Sequence, residues 1–132
     1  TYAASGLLLG LVALLLVTGR LDAGTLTLGF AVVLFFASAA ASSAYLTVSE
    51  SFPLEVRALA IAVFYALGTA LGGIAAPWIF GTLIGTGDPR AIAGGYAFGA
   101  ALMLVAAVIA LWLGVAAERR PLEEVAPPLS AA

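Results

Sequence analysis

The side chains that could do chemistry in this chain are few, and they cluster. Glu50, Glu55 and Arg57 stand in one octet, Glu50-Ser51-Phe52-Pro53-Leu54-Glu55-Val56-Arg57. Ahead of it, Ser38, Ser42, Tyr45 and Ser49 recur every three or four positions, with Ser43 and Thr47 beside them. Behind it stand Tyr65 and Thr69, one helical turn apart. On a helix such spacings put each set on one face. Opposite charges in the octet could make an ion pair whose strength changes with solvent exposure. The hydroxyls and phenols could hydrogen-bond a polar solute, or equally a neighbouring helix or their own backbone.

What must position them is four long uncharged stretches. The patterning predicts helices over about 2–18, 26–49, 58–84 and 91–117. A helix needs about 20 apolar residues to cross a bilayer, because each residue rises about 1.5 Å. The last three stretches are long enough, and the first is at the short end. Soluble strands are far shorter, and membrane strands alternate polar with apolar residues, which Leu7-Leu8-Leu9-Gly10-Leu11-Val12 does not. Hydrophobic residues make up 64% of the chain and charged residues 9%, against roughly 25% charged in soluble domains. The expected class is therefore all-α and integral to a membrane, with the lipid bilayer as first partner.

Composition also excludes functions. Cysteine and histidine are absent, so this segment holds no disulfide, thiolate metal site or histidine relay. There is no nucleophile–base pair, metal-ligand cluster or phosphate loop, so neither enzyme nor cofactor is expected. A net charge of -2 points to no nucleic-acid partner. No ionisable residue lies within a span, so a side-chain proton relay is not expected here.

The connections read as turns. Arg20 follows the first helix, where the helix dipole favours a cation. Thr25 or Thr27 is a candidate cap for the second helix, Asp88 for the fourth, with Pro89 at its first position. Glu50 ends the second helix, where an acid is disfavoured unless a cation partners it. Pro53 can begin the third helix, with Glu55 in its first turn. Gly68, Gly72 and Ala76 mark a small-residue face on the third helix, Gly95 and Gly99 one on the fourth, and Gly6/Gly10 and Gly81/Gly85 repeat the spacing. Such faces are packing devices. Pro77 is expected to kink the third helix, and Trp78 and Trp112 to anchor at the two interfaces.

The octet resembles the Glu-x-Phe-Pro-x-x-x-Arg signature of the major facilitator superfamily, best known in its sugar-porter branch and proton-linked metabolite relatives. Pro77-Trp78, the Leu83-Ile84-Gly85-Thr86-Gly87 end and the Glu118-Arg119-Arg120-Pro121-Leu122-Glu123-Glu124 tail are similar to the closing region of bacterial members. The resemblance covers essentially the whole chain. It implies the ninth to twelfth helices of a twelve-helix carrier, with the earlier helices of the same transporter and a small-molecule substrate as partners. It also implies a multi-pass protein of the cell (inner) membrane, with the octet and a flexible tail, 118–132, in the cytoplasm. Three arginines on that side (Arg57, Arg119, Arg120) against two opposite (Arg20, Arg90) agree weakly. In the family, charges such as Glu50 and Arg57 form a network that closes the inner mouth. Ser38, Ser42, Tyr45, Tyr65 and Thr69 are then candidates for the substrate path, with Ser38 and Ser42 at mid-span depth. Richness in Ala, Gly and Arg without Lys is the mark of a GC-rich bacterial genome. Two alternatives remain: an oligomeric four-helix exporter, which needs an acid that 2–18 lacks, and a non-transporting membrane subunit.

Overall fold

The computed structural model describes residues 1–114 and 125–127. Arg119, Arg120, Glu123, Glu124 and the expected end of the last helix at 117 lie outside the described residues. Within them the order is α1 (Tyr2–Val17), α2 (Ala23–Ser51), α3 (Leu54–Gly85) and α4 (Pro89–Leu113). The all-helical expectation holds. Helices α2, α3 and α4 are each long and apolar enough to cross a membrane. Helix α1 has 16 residues and rises only about 24 Å.

The middle helices run further into the polar segment than the apolar stretches indicate. Glu50 and Ser51 complete α2, and Glu55 and Arg57 belong to α3. Only Phe52 and Pro53 separate the two, both extended. The reason is steric: the proline ring bars its predecessor from helical dihedrals, and its own fixed φ suits the start of the next helix.

The other turns use local chemistry. Asp22, not Thr25 or Thr27, is the N-cap of α2. Its Oδ1 accepts the Thr25 N–H at 2.7 Å, and Thr25 Oγ1 accepts the Asp22 N–H at 3.0 Å. Thr27 instead donates to the Ala23 carbonyl. A carboxylate is the stronger acceptor for an orphan amide and also meets the positive helix end. Asp88 caps α4 by accepting the Arg90 N–H, followed by Pro89. Gly19 and Gly87 close α1 and α3 with φ near +65° and +68°, a conformation that glycine adopts without steric cost.

The Asp22 cap carries a pH prediction. The Thr25 backbone hydrogen bond, then the Thr25 side chain, hold the Asp22 carboxyl below its ordinary value. A lowered native pKa adds stability that is present above the unfolded value and lost as pH falls through the native one. The first turn of α2 is therefore expected to fray only below the usual carboxylate range. Amide exchange at Thr25, corrected for intrinsic rates, should accelerate there. Asp22→Ala should show that faster exchange already at neutral pH.

Packing is inverted relative to a water-soluble protein. Leu111 and Trp112 at the end of α4 and Trp78 in α3 are largely exposed, as side chains facing lipid are. The buried set is mostly small: Ser5, Ala13, Ala40, Ala93 and Ala100, with Leu9, Val12 and Val33. The α1–α4 contact is by far the most extensive, then α1–α2, while α3 touches α2 and α4 sparingly. Small residues set this order by letting backbones approach. A Cβ added at Gly6 would lie 3.2 Å from the Ala100 carbonyl oxygen, and one at Gly99 3.3 Å from Leu9 Cδ2. Fully buried Ser5 turns its hydroxyl back to the Thr1 and Tyr2 carbonyls, and among the described residues no buried side-chain polar atom lacks a partner.

Candidate functional site

Two aromatic clusters tie α3 to the rest, one towards each end. Near the Phe52–Pro53 joint, the Tyr45 ring lies 6.0 Å from both Phe64 and Tyr65, centroid to centroid. At the opposite end Tyr96 of α4 lies 5.0 Å from Phe30 of α2 and 5.2 Å from Phe80 of α3. Between the ties every residue from 66 to 78 of α3 is exposed. Thr69 sits in that open stretch, and Tyr65 borders it while joining the first tie.

The hydroxyl face of α2 is turned away from the body of the bundle. Val33 and Ala40 are the buried positions of α2. At 3.6 residues per turn Ser38 stands about 140° and 160° around from them, and Ser42 about 180° and 160°. Both are exposed, and Tyr45 on the same face is half-buried against α3. The hydroxyls bond their own helix. Ser42 donates to the Ser38 carbonyl at 3.1 Å, Ser43 to Ala40, Thr47 to Ser43 and Ser49 to Leu46. None of these four bonds reaches another helix. A mid-span hydroxyl face is thus left open, with the Tyr45–Tyr65 pair on its flank.

The charged octet is arranged differently from a closed ion pair. Arg57 does not pair with Glu50 or Glu55; its Nε–H donates to the Phe52 carbonyl at 3.3 Å. The guanidinium therefore caps the carbonyl end of α2 from the first turns of α3, next to the negative end of the α2 dipole. Glu50 and Arg57 are half-buried and Glu55 is exposed. The cation that an acid at the end of α2 calls for is not supplied by Arg57 across the joint; its Nε–H is engaged by the Phe52 carbonyl.

The glycine faces divide. Gly95 meets α3: a Cβ there would come within 3.0 Å of Phe80 Cε1 and closer still to Leu83 Cδ1. Gly6 and Gly99 lie in the α1–α4 seam. At Gly68 and Gly72 nothing lies within 4 Å of an added Cβ, and the same is true of Gly81 and Gly85. Ala76 is exposed as well. Close packing at Gly68, Gly72 and Ala76 is thus not made within the described residues, because α3 stands off from its neighbours along that stretch. Pro77 lies inside α3, which continues through it to Gly85.

Sequence reading missed Phe30, Phe64, Phe80 and Tyr96. Single aromatics scattered over three helices carry no periodic signal, and only the packed structure brings them together. A cleft of about 370 Å³ also opens between the helix pairs at the joint end, bounded by Thr47, Val48, Phe64, Ile109 and Leu113 among others.

An open hydroxyl face, aromatic rings beside it and spans without ionisable groups suit passage of a polar, uncharged solute. A model of the family described as Sugar (and other) transporter matches residues 1–128. The chain belongs to that family. It is a transporter family rather than an enzyme family, and the chain is a multi-pass membrane protein with a small-molecule substrate. No curated protein and no solved structure matches the transporter chain.

Proposed function

We propose that this chain forms the last four of twelve helices of a carrier that moves a sugar or small metabolite by alternating access. The observation that carries the reading is the face of Ser38 and Ser42, open at mid-span and turned away from the α1-packed side of α2. In this reading the rest of the carrier faces α2 and α3, which explains why α3 has no buried residue. The solute passes between that partner half and the hydroxyl face, with Tyr45, Tyr65 and Thr69 beside it. The joint and the tail lie in the cytoplasm of a bacterial cell. Glu50, Pro53, Glu55 and Arg57 form the movable inner closure, their charges meeting partners on the other helices when the mouth shuts. If uptake is coupled to protons, the coupling acid belongs to those helices, since none lies mid-span here.

The test is uptake of radiolabelled hexoses, pentoses and polyols by proteoliposomes holding the full-length protein. Ser42→Val is expected to raise KM about tenfold at unchanged membrane insertion, the size of one lost hydrogen bond. An unchanged KM across the transported solutes would remove Ser42 from the path. The native size is read with an antibody to residues 118–132. A band near three times this chain's 132 residues supports the twelve-helix reading. A band near 13.2 kDa favours an oligomer of four-helix subunits instead.

A further inference from the structure

We propose that the α1–α4 seam, at the end remote from the Phe52–Pro53 joint, seats an anionic phospholipid from the adjoining leaflet. A groove of about 380 Å³ opens there, with Gly10, Ala13, Ala93, Gly94 and Ala97 as its small-residue floor and Arg90 among its lining. The small side chains that let the helices approach deeper in the seam here leave a furrow wide enough for part of an acyl chain. Arg90 belongs to the first turn of α4, where the chain emerges from lipid and a phosphate would stand.

Charge decides which lipid. The nearest acid, Asp88, is engaged with the backbone, accepting the Arg90 N–H at 2.9 Å. Asp22, the other acid at this end, is engaged with Thr25 in the same way. With both carboxylates committed to helix ends, the Arg90 guanidinium is left to pair with an outside anion. A planar guanidinium holds a phosphate through two parallel hydrogen bonds. Orientation decides that lipid can reach it. Val12 of α1 faces Gly29 of α2, and Gly95 of α4 faces Phe80 and Leu83 of α3. The groove positions are offset from these contacts by one or two residues, roughly 100° to 160° around each helix. They therefore open on the side away from α2 and α3. This inference rests on the reading above that the rest of the carrier covers the α2–α3 side, which leaves the groove to the bilayer.

The test uses the full-length carrier in detergent with equal phosphatidylglycerol and phosphatidylcholine, read by native mass spectrometry. Wild type is expected to retain phosphatidylglycerol about fivefold over phosphatidylcholine, the preference one interfacial arginine supplies. Arg90→Gln should bring the two lipids level, and Gly94→Leu, which fills the groove, should reduce both. Arg57→Gln, at the other end, should keep the preference. A preference that survives Arg90→Gln, or one that Arg57→Gln abolishes, overturns the proposal. So does a wild type that retains neither lipid while Gly94→Leu lowers its thermal midpoint, since protein then fills the groove. Lipid retention is read without transport, so failure of the solute-path reading shows separately, in the Ser42→Val uptake data.

Discussion

Arg57→Ala in the full-length carrier is expected to cut uptake by at least about tenfold, with the amount of protein in the membrane unchanged. Arg57 has one task in the structure and a second in the proposed closure. Through Nε it holds the Phe52 carbonyl, so the first turns of α3 are fastened to the residue just beyond α2. The fastening spans a joint of only two extended residues, and without it the helices pivot more freely about Phe52 and Pro53. The second task belongs to the proposed closure, where the terminal amino groups remain available for a carboxylate on another helix. A side chain that biases the open against the closed state by 1–3 kcal/mol changes function by about 5–150-fold. Alanine removes both tasks, whereas Arg57→Lys keeps the charge but lacks the planar fork. Lysine is thus expected to restore only part of the rate. Uptake at the wild-type rate by Arg57→Ala would eliminate the closure role and leave a turn held by its proline alone.

Gly6→Leu is expected to destabilise the four-helix unit by about 3 kcal/mol, the upper part of the range for overpacking a tight interior. A Cβ at Gly6 would meet Leu104 Cγ at 3.1 Å and the Ala100 carbonyl oxygen at 3.2 Å. The leucine tip could turn aside, but the carbonyl is backbone and can yield only if α1 and α4 separate. That seam is the most extensive in the molecule, so its opening loosens the whole. Denaturation in mixed detergent micelles, followed by circular dichroism, should show the loss directly. Gly72→Leu is the contrast: open space surrounds Gly72, and the unit itself should tolerate it. In the full-length carrier the same substitution becomes informative. Destabilisation there would mean that a helix outside these four covers the α3 face, as the proposed function requires, whereas wild-type stability would leave that face in lipid.

The two substitutions also mark what the amino-acid sequence makes legible. Four helices could be read from uncharged stretches because lipid obliges each span to satisfy its own backbone. Their ends were less visible. The apolar stretches end at Ser49 and resume at Ala58, yet hydrogen bonding carries α2 through Ser51 and starts α3 at Leu54. Helical backbone does not stop where hydrophobicity does; the proline ring fixes the break more narrowly than composition can. Asp88 and Pro89 were legible as a cap because their signal is local. Asp22 gives no distinct signal beside two threonines, since the cap depends on which oxygen meets the Thr25 amide.

For the candidate site, spacing placed Ser38, Ser42 and Tyr45 on one face but left the direction of that face open. The direction comes from Val33 clustering with Leu9 and Val12 of α1 and from Ala40 being buried on the same side of α2, and a tertiary contact of this kind has no sequence signature. The glycine pairs have the same ambiguity. Gly6/Gly10 and Gly68/Gly72 share a spacing, and only the partner helix makes the first pair a seam and leaves the second bare. Arg57 and Glu50 were legible as charges at a joint, but the competing Phe52 carbonyl, which takes the guanidinium, is backbone and so invisible to residue types.

The self-bonded hydroxyls of α2 have a consequence for selectivity. Ser42 spends its only proton on the carbonyl one turn back, and Ser43, Thr47 and Ser49 do likewise. Each oxygen then offers lone pairs and no hydrogen. On the proposed path these four oxygens would meet a solute as acceptors, while Ser38, Tyr45 and Tyr65 bring the O–H donors beside them. In the proposed carrier this backbone-bound set would weight the path towards solutes rich in O–H groups, without a charged side chain.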